Sequence, residues 1–245
     1  MENIIVRAAT VVDTQYAETI TTEMAESAKA RGTGIAKRSP DYIKLKMEEG
    51  KSVIAITKDG TWVGFCYIES WEHEKFVANS GLIVAPAFRK SGVATEIKRK
   101  VFELSRKKYP NAKIFGLTTG LAVMKINSDL GYEPVTYNQL TNDEQFWKGC
   151  QSCVNYEILK SKERNNCMCT AMLYDPVEKA KELELKKQHE AKAENFWGRD
   201  LRNDNKIFDR WVRFKQFVLL KGWKKKEDES GTVKKNSFLS FLFFW

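Results

Sequence analysis

Hydrophobic positions along this chain change their period several times, and each change marks an element. Ile4 to Ala9 reads as a short first strand. From Thr14 to Arg31 the apolar positions Tyr16, Ile20, Met24 and Ala28 recur every four residues, the spacing of one helix face. Ser39-Pro40-Asp41 then supplies a capping hydroxyl, a proline suited to the first helical position and an acid in the first turn. Gly50 stops that helix. Ser52 to Thr57 and Thr61 to Glu69 flank Asp59-Gly60, a hairpin signature. Phe76 to Val84 is a further strand, followed by a small-residue loop and a helical run from Thr95 to about Lys108. Tyr109-Pro110-Asn111 is a turn, Lys113 to Thr118 a short buried strand, Leu121 to Leu130 a helix closed by Gly131, and Tyr132 to Tyr137 a strand. A last strand is expected at Cys169 to Leu173.

Asp175-Pro176-Val177-Glu178 opens a highly charged helix to about Asn195, with Glu–Lys pairs that support a solvated helix. Ile207 to Leu220 is apolar and basic together, with Phe208, Trp211, Phe214, Phe217 and Val218 on one face, as a segment that docks on the domain or in a dimer would be. The run from Lys224 to Asn236 has the composition of a disordered segment, and Ser237 to Trp245 is too short to span a bilayer. The expected organisation is a domain over residues 1–173 and a charged helical extension over 174–245.

Composition narrows the class. Apolar residues make up 42% of 245 residues, enough for a core, and no apolar run approaches the ~20 residues of a membrane-spanning helix. The start of the chain lacks a signal-peptide pattern, so a cytoplasmic protein is expected. The net charge is +9, but the part from Tyr174 onward holds 17 Lys/Arg against 12 Asp/Glu, leaving 24 against 20 for residues 1–173. That mild basicity suits a polyanionic ligand, and no nucleic-acid recognition motif accompanies it.

The segment most telling of chemistry is Val84-Ala85-Pro86-Ala87-Phe88-Arg89-Lys90-Ser91-Gly92-Val93-Ala94. A strand that feeds a helix through small residues presents several backbone N–H groups at the positive end of that helix, a ready site for phosphate. The spacing Arg89-x-x-Gly92-x-Ala94 resembles the loop with which acetyltransferases of the GNAT superfamily hold the pyrophosphate of coenzyme A. The helix ending in Gly131-Tyr132 is similar to a second motif of that family, and the element order over residues 3–137 is also the family's. The resemblance implies an α/β (α+β) fold: a mixed, mostly antiparallel twisted sheet with helices on both faces, here with a C-terminal helical extension.

The same resemblance implies a reaction, attack of a free amine on the thioester of acetyl-CoA, and assigns parts to residues. Arg89 and the backbone of Lys90, Ser91, Gly92, Val93 and Ala94, with the Thr95 hydroxyl, would hold the pyrophosphate. The strand end Leu82-Ile83-Val84 would carry the pantetheine arm where the sheet splays from the Lys113 to Thr118 strand. The family often draws its base from the strand before the loop. A common position for it falls on Phe76 here, so Glu74, beside Glu72 and His73, is the expected base. Where the family often has a tyrosine to protonate the leaving thiolate, this chain has Asn127, which orients rather than protonates unless Tyr132, Tyr137 or solvent supplies the proton.

Four of five cysteines cluster as Cys150-x-x-Cys153 and Cys167-x-Cys169, joined through a Lys/Glu/Asn-rich loop. In a reducing compartment such pairs favour metal over disulfide, so a hairpin-borne structural zinc with four thiolate ligands is expected. Free thiols near the cleft, a redox pair and core packing are the other readings. Cys66, inside a strand, is expected as a buried thiol. The segment Trp147-Lys148-Gly149-Cys150 to Leu173 also resembles small-molecule acetyltransferases encoded beside arginine-biosynthesis genes in Bacteroidetes-type bacteria. That resemblance implies an amino acid such as glutamate as acceptor. A homodimer is the assembly to test. The alternative in a different class is a non-catalytic acyl-CoA sensor or interaction module on the same fold.

Overall fold

The computed structural model describes residues 3–32 and 37–203. The expectations for Ile207 to Leu220, Lys224 to Asn236 and Ser237 to Trp245 lie outside the described residues. The chain forms two compact units, residues 1–183 and 184–245.

The first unit is built on a seven-stranded sheet in the order β1-β2-β3-β4-β5-β7-β6. Its strands are β1 (Ile4–Ala8), β2 (Ser52–Thr57), β3 (Trp62–Trp71), β4 (Phe76–Val84), β5 (Lys113–Thr118), β6 (Glu133–Val135) and β7 (Thr170–Tyr174). All neighbours run antiparallel except β4 and β5, which pair parallel and only over Phe76–Ala78 with Lys113–Phe115. From Asn79 onward β4 therefore has β3 on one side and no strand on the other.

Helices cover both faces. α1 (Ala17–Arg31) and α2 (Pro40–Glu48) bury Ala17, Ile20, Met24, Ile43 and Met47 against Ile54, Phe65, Tyr67 and Ile83. α3 (Val93–Lys108) lays Val93, Ile97 and Val101 on Val53, Val63, Ile68 and Val77 of the other face. The signals that start and stop these helices act as the sequence dictates: the Ser39 hydroxyl accepts from the Tyr42 N–H at 3.2 Å, and Gly50 takes a left-handed φ of 61°. The helix expected from Thr14 begins instead with a 3₁₀ turn over Val11–Tyr16, because Asp13 turns back to accept from the Thr10 N–H at 2.7 Å.

α4 (Leu121–Asp129) precedes β6, which is shorter than expected because Tyr137 starts a 3₁₀ turn. The cysteine-rich stretch is not a hairpin. α5 (Glu144–Lys148), a 3₁₀ turn over Gly149–Ser152 and α6 (Tyr156–Ser161) carry it to β7, and Trp147, Leu159, Leu140 and Phe115 form a third small core beneath it. Of the loop expected over Lys160 to Asn166, Lys160 and Ser161 close α6, whose Leu159 has this core to bury into. α7 (Pro176–Asn203) opens as expected at Pro176, and Leu183 is its last residue in this unit. Among the described residues no helix is long and apolar enough to cross a membrane.

Candidate active site

The place where β4 leaves β5 is also where β4 carries an extra residue. Tyr67 pairs with Ser80 and Phe65 with Ile83, so Gly81 and Leu82 stand opposite Cys66 alone. Gly81 has a φ of +65°, and a Cβ there would lie 2.3 Å from the Tyr67 ring, so neither the backbone nor the space admits a side chain. The bulge turns the strand end away from β5 and opens a cleft of about 670 Å³, a size suited to a small-molecule ligand. One wall is Ala78 to Leu82 of β4, and the other is Phe115 to Gly120 with Val123 and Asn127 of α4.

Beyond the strand end, a 3₁₀ turn over Pro86–Phe88 leads into the loop. Lys90 (φ 65°) and Gly92 (φ 87°) both take left-handed conformations, and Gly92 caps α3. Glycine carries no steric penalty there, which is why the spacing demands it. Among the described residues no acceptor meets the backbone N–H of Lys90, Ser91, Gly92, Val93 or Ala94, and the Thr95 N–H turns back to the Gly92 carbonyl at 3.1 Å. Five free donors at the N-terminus of a sixteen-residue helix make an anion cradle.

The Arg89 side chain does not face this cradle freely. Its Nε donates to the Val84 carbonyl at 3.1 Å, and its Nη2 donates to Glu23 Oε1 and Ser27 Oγ, both at 2.7 Å. Arg89 thus ties the loop to the end of β4 and to α1. Leu82 lines the cleft, whereas Ile83 is buried against α1 and α2, and Val84 lends its carbonyl to Arg89.

At the cleft's other end α2, β3 and the segment before α2 bring together four polar side chains that sequence reasoning missed. Glu69 is buried and accepts from the Tyr42 hydroxyl at 2.5 Å and from Arg38 Nη2 at 3.1 Å. Arg38 Nε donates to the Tyr67 hydroxyl at 2.9 Å. Burial, then the Glu69 charge, raises the Tyr42 and Tyr67 hydroxyls well above the usual range, so both stay protonated. Among the described residues Glu69 is the only carboxylate lining the cleft, against three cations, Arg38, Lys98 and Lys148. A carboxylate on a strand otherwise apolar from Trp62 to Ile68 was the available signal, and it points inward because β3 is buried on both faces there.

Glu74, the expected base, lies exposed at φ 67° in the β3–β4 turn, outside the cleft. Its neighbour Glu72 accepts from the Thr141 hydroxyl at 2.7 Å and the Asn142 N–H at 2.6 Å, fixing the turn. Tyr132 is not brought to the cleft either. Its hydroxyl donates to Asn79 Oδ1 at 2.9 Å, Asn79 Nδ2 donates to Ser105 Oγ at 2.7 Å, and the three make a buried link from the residue before β6 to β4 and α3. Asn127 does line the cleft. It is 1% exposed, its Nδ2 faces Met172 Sδ at 3.8 Å, and its Oδ1 has no partner.

Cys150, Cys153, Cys167 and Cys169 all border the cleft and are all unpaired. They do not surround a common point: among the described residues no three His, Cys, Asp or Glu side chains are arranged to hold a metal ion. The helical path of residues 144–161 spaces the two pairs differently from a hairpin. Burial, then the neighbouring thiols, pushes Cys150 up to about 11 and Cys169 up to about 12. Cys66 is a buried thiol as expected, donating to the Ser80 carbonyl at 3.3 Å.

The family model described as Acetyltransferase (GNAT) family matches residues 21–122, from α1 through the cradle to the start of α4. Residues 21–122, 102 of the 245, thus carry the sequence pattern of a GNAT acetyltransferase domain. A solved structure shares the fold. N-acetylglutamate synthase from Neisseria gonorrhoeae, complexed with coenzyme A and N-acetyl-glutamate, superposes with a TM-score of 0.50 at 14% identity. That match takes in 70% of this chain and 35% of the synthase, so the chain spans about a third of the synthase's length. A Mycobacterium tuberculosis protein in complex with CoA gives 0.49 at 17% identity over 70% of this chain and 98% of that one. A phosphinothricin acetyltransferase from Sinorhizobium meliloti with AcCoA gives 0.48 at 14% over 71% and 88%. No curated protein matches the chain. The sheet splay and the bulge shape the cleft, and the loop of free N–H groups follows in sequence from the end of β4 into α3.

Proposed function

We propose that this GNAT domain transfers the acetyl group of acetyl-CoA to the primary amine of a small molecule, by direct attack when both are bound. The observation that carries the reading is the cradle: five unpartnered N–H groups, Lys90 to Ala94, at the loop end of a cleft whose floor is the open edge of β4. The pyrophosphate would accept from those donors, and the pantetheine arm would lie along Asn79 to Leu82, with the partnerless Asn127 Oδ1 available to an amide N–H.

The thioester then meets the Arg38–Glu69–Tyr42–Tyr67 end. Glu69, fixed by Arg38 and Tyr42, is the carboxylate that can accept from an incoming ammonium and take its proton. The amine nitrogen forms the new bond to the acetyl carbon as the carbon–sulfur bond breaks. With three cations to one carboxylate, the lining favours an acceptor that carries negative charge, and an amino acid such as glutamate fits. Five unpaired thiols suit a reducing compartment, so we place the reaction in the cytoplasm.

The test is thiol release from acetyl-CoA with a panel of amino acids and polyamines. Turnover with an acidic amino acid above the polyamines is the expected result. Binding of coenzyme A without turnover on any amine would overturn the catalytic reading.

A further inference from the structure

Among the polar groups of the cleft, Lys98 stands apart. It lies on the apolar stripe of α3 with Val93, Ile97, Val101 and Ser105, where the helix packs on the sheet. It is 2% exposed, and its open side borders the cleft. Among the described residues no carboxylate pairs with it. The groups facing it are the Tyr132 ring, 5.5 Å from Nζ to the centroid, and the Cys66 thiol on β3. Burial pushes its pKa down, and the Cys66 thiol only partly opposes this. A lone cation in such a place is costly, and that cost is typical of a group kept for an incoming opposite charge.

Position says which charge. Asn127 stands over β5, with Gly116 and Met172 beside it, on one side of the splay. Lys98 stands on the β4 side, near Cys66, whose thiol is bonded to Ser80. Both side chains line the cleft, so a chain bound between β4 and β5 would meet them. Two tyrosines nearby are committed: Tyr132 donates to Asn79, and Tyr137 donates to the Cys169 carbonyl at 2.7 Å. Burial holds the Tyr132 hydroxyl well above its ordinary range and lifts the Cys66 thiol to about 11, so neither carries charge near pH 7.

We propose that Lys98 is the catalytic group that faces the departing sulfur of coenzyme A, stabilises it as a thiolate and donates the proton that makes it a thiol. This rests on the acetyl-CoA reading above. In the step, the amine lone pair forms the carbon–nitrogen bond and the carbon–sulfur pair leaves on sulfur. An N–H proton of the Lys98 ammonium passes to sulfur, the amine's proton goes to Glu69 or solvent, and solvent reprotonates Lys98. Amine and thioester become amide and thiol, with no other reactant.

The experiment needs no acceptor: coenzyme A and desulfo-coenzyme A, which lacks the sulfur, are titrated into the full chain. A free thiol with a pKa of about 8.5 is roughly 3% thiolate at pH 7. An opposite charge within a few ångströms lowers such a pKa by about 1–3 units, so roughly a quarter or more of bound coenzyme A should show thiolate ultraviolet absorbance. At pH 8 the same shift makes coenzyme A bind about threefold or more tighter than the desulfo compound. Lys98→Met should erase both effects while still binding desulfo-coenzyme A as the wild type does. Equal affinities and no thiolate signal in the wild type overturn the role of Lys98 and leave the acetyl-CoA reading standing, and this comparison decides even if the variant does not fold. Retention of the signal in Lys98→Met also overturns it. Failure of the wild type to bind either compound overturns both readings.

Discussion

Gly81→Ala isolates the bulge that opens the cleft. Two costs follow from the structure. Alanine at φ +65° costs about 1–2 kcal/mol in backbone strain. The added Cβ would also sit 2.3 Å from Cε1 and 2.9 Å from Cδ1 of Tyr67, where ordinary contacts need about 3.5–4.0 Å. The ring has little room to retreat: it is 2% exposed, stacks on Phe65 at 6.1 Å, meets Tyr42 edge-on at 5.9 Å and is tethered through its hydroxyl to Arg38. Overpacking of this kind costs about 1–3 kcal/mol. The total of about 2–5 kcal/mol corresponds to a melting temperature lower by about 4–20 °C for a unit of this size. Thermal unfolding followed by circular dichroism reads it directly. Displacing Tyr67 should also loosen Arg38 from Glu69, so acetyl transfer should fall more than stability alone explains. A Gly81→Ala protein that melts within about 1 °C of the parent would refute both the steric argument and the account of why the sheet opens here.

Other consequences are as specific. Glu69→Gln should lower the rate of acetyl transfer by about 10²–10⁴-fold on any amine that supports turnover, whereas Glu74→Gln in the exposed turn should leave it within about twofold, as parallel steady-state assays would show. Asp13 bears on pH: burial alone would raise its pKa, but hydrogen bonds from Arg7 at 2.7 and 2.8 Å and from the Thr10 N–H hold it below its ordinary 3.8. A depressed carboxylate stabilises the fold above its unfolded value. That contribution is therefore complete above about pH 5 and should be lost as pH falls through the lower folded value. Urea unfolding across that range should show a shallower pH slope for Asp13→Asn, and an unchanged slope would remove Asp13 from the account.

Much of the scaffold could be read from the chain because its signals are local. The Ser39-Pro40-Asp41 start, the Asp59-Gly60 hairpin and the Phe76 to Val84 strand depend on residues a few positions apart, and the structure has them within two residues. The turn into α3 was legible for the same reason, since Gly92 carries its left-handed conformation itself. Side-chain roles were less so. Arg89 reads as a phosphate ligand by spacing, yet its partners Glu23 and Ser27 lie more than 60 residues away in sequence. Glu69 and Glu74 are near neighbours in sequence, but strand alternation and the turn send one into the cleft and the other to solvent. Lys98 was visible as a lysine among Val93, Ile97 and Val101, an exception to the helix's apolar stripe. For the cysteines, pair spacing says nothing of the intervening path, which is helical here, and among the described residues no three such side chains are arranged to hold a metal.

The central claim is that the Lys90 to Ala94 cradle and the β4 cleft bind coenzyme A, and calorimetric titration of coenzyme A into wild type and Gly92→Glu tests it most directly. A glutamate at φ 87° strains the turn and places a negative charge among donors meant for phosphate. The account predicts saturable one-site binding by the wild type and affinity at least about tenfold weaker in the variant, a loss of about 1.4 kcal/mol or more. Coenzyme A affinity that is the same in both proteins would contradict it.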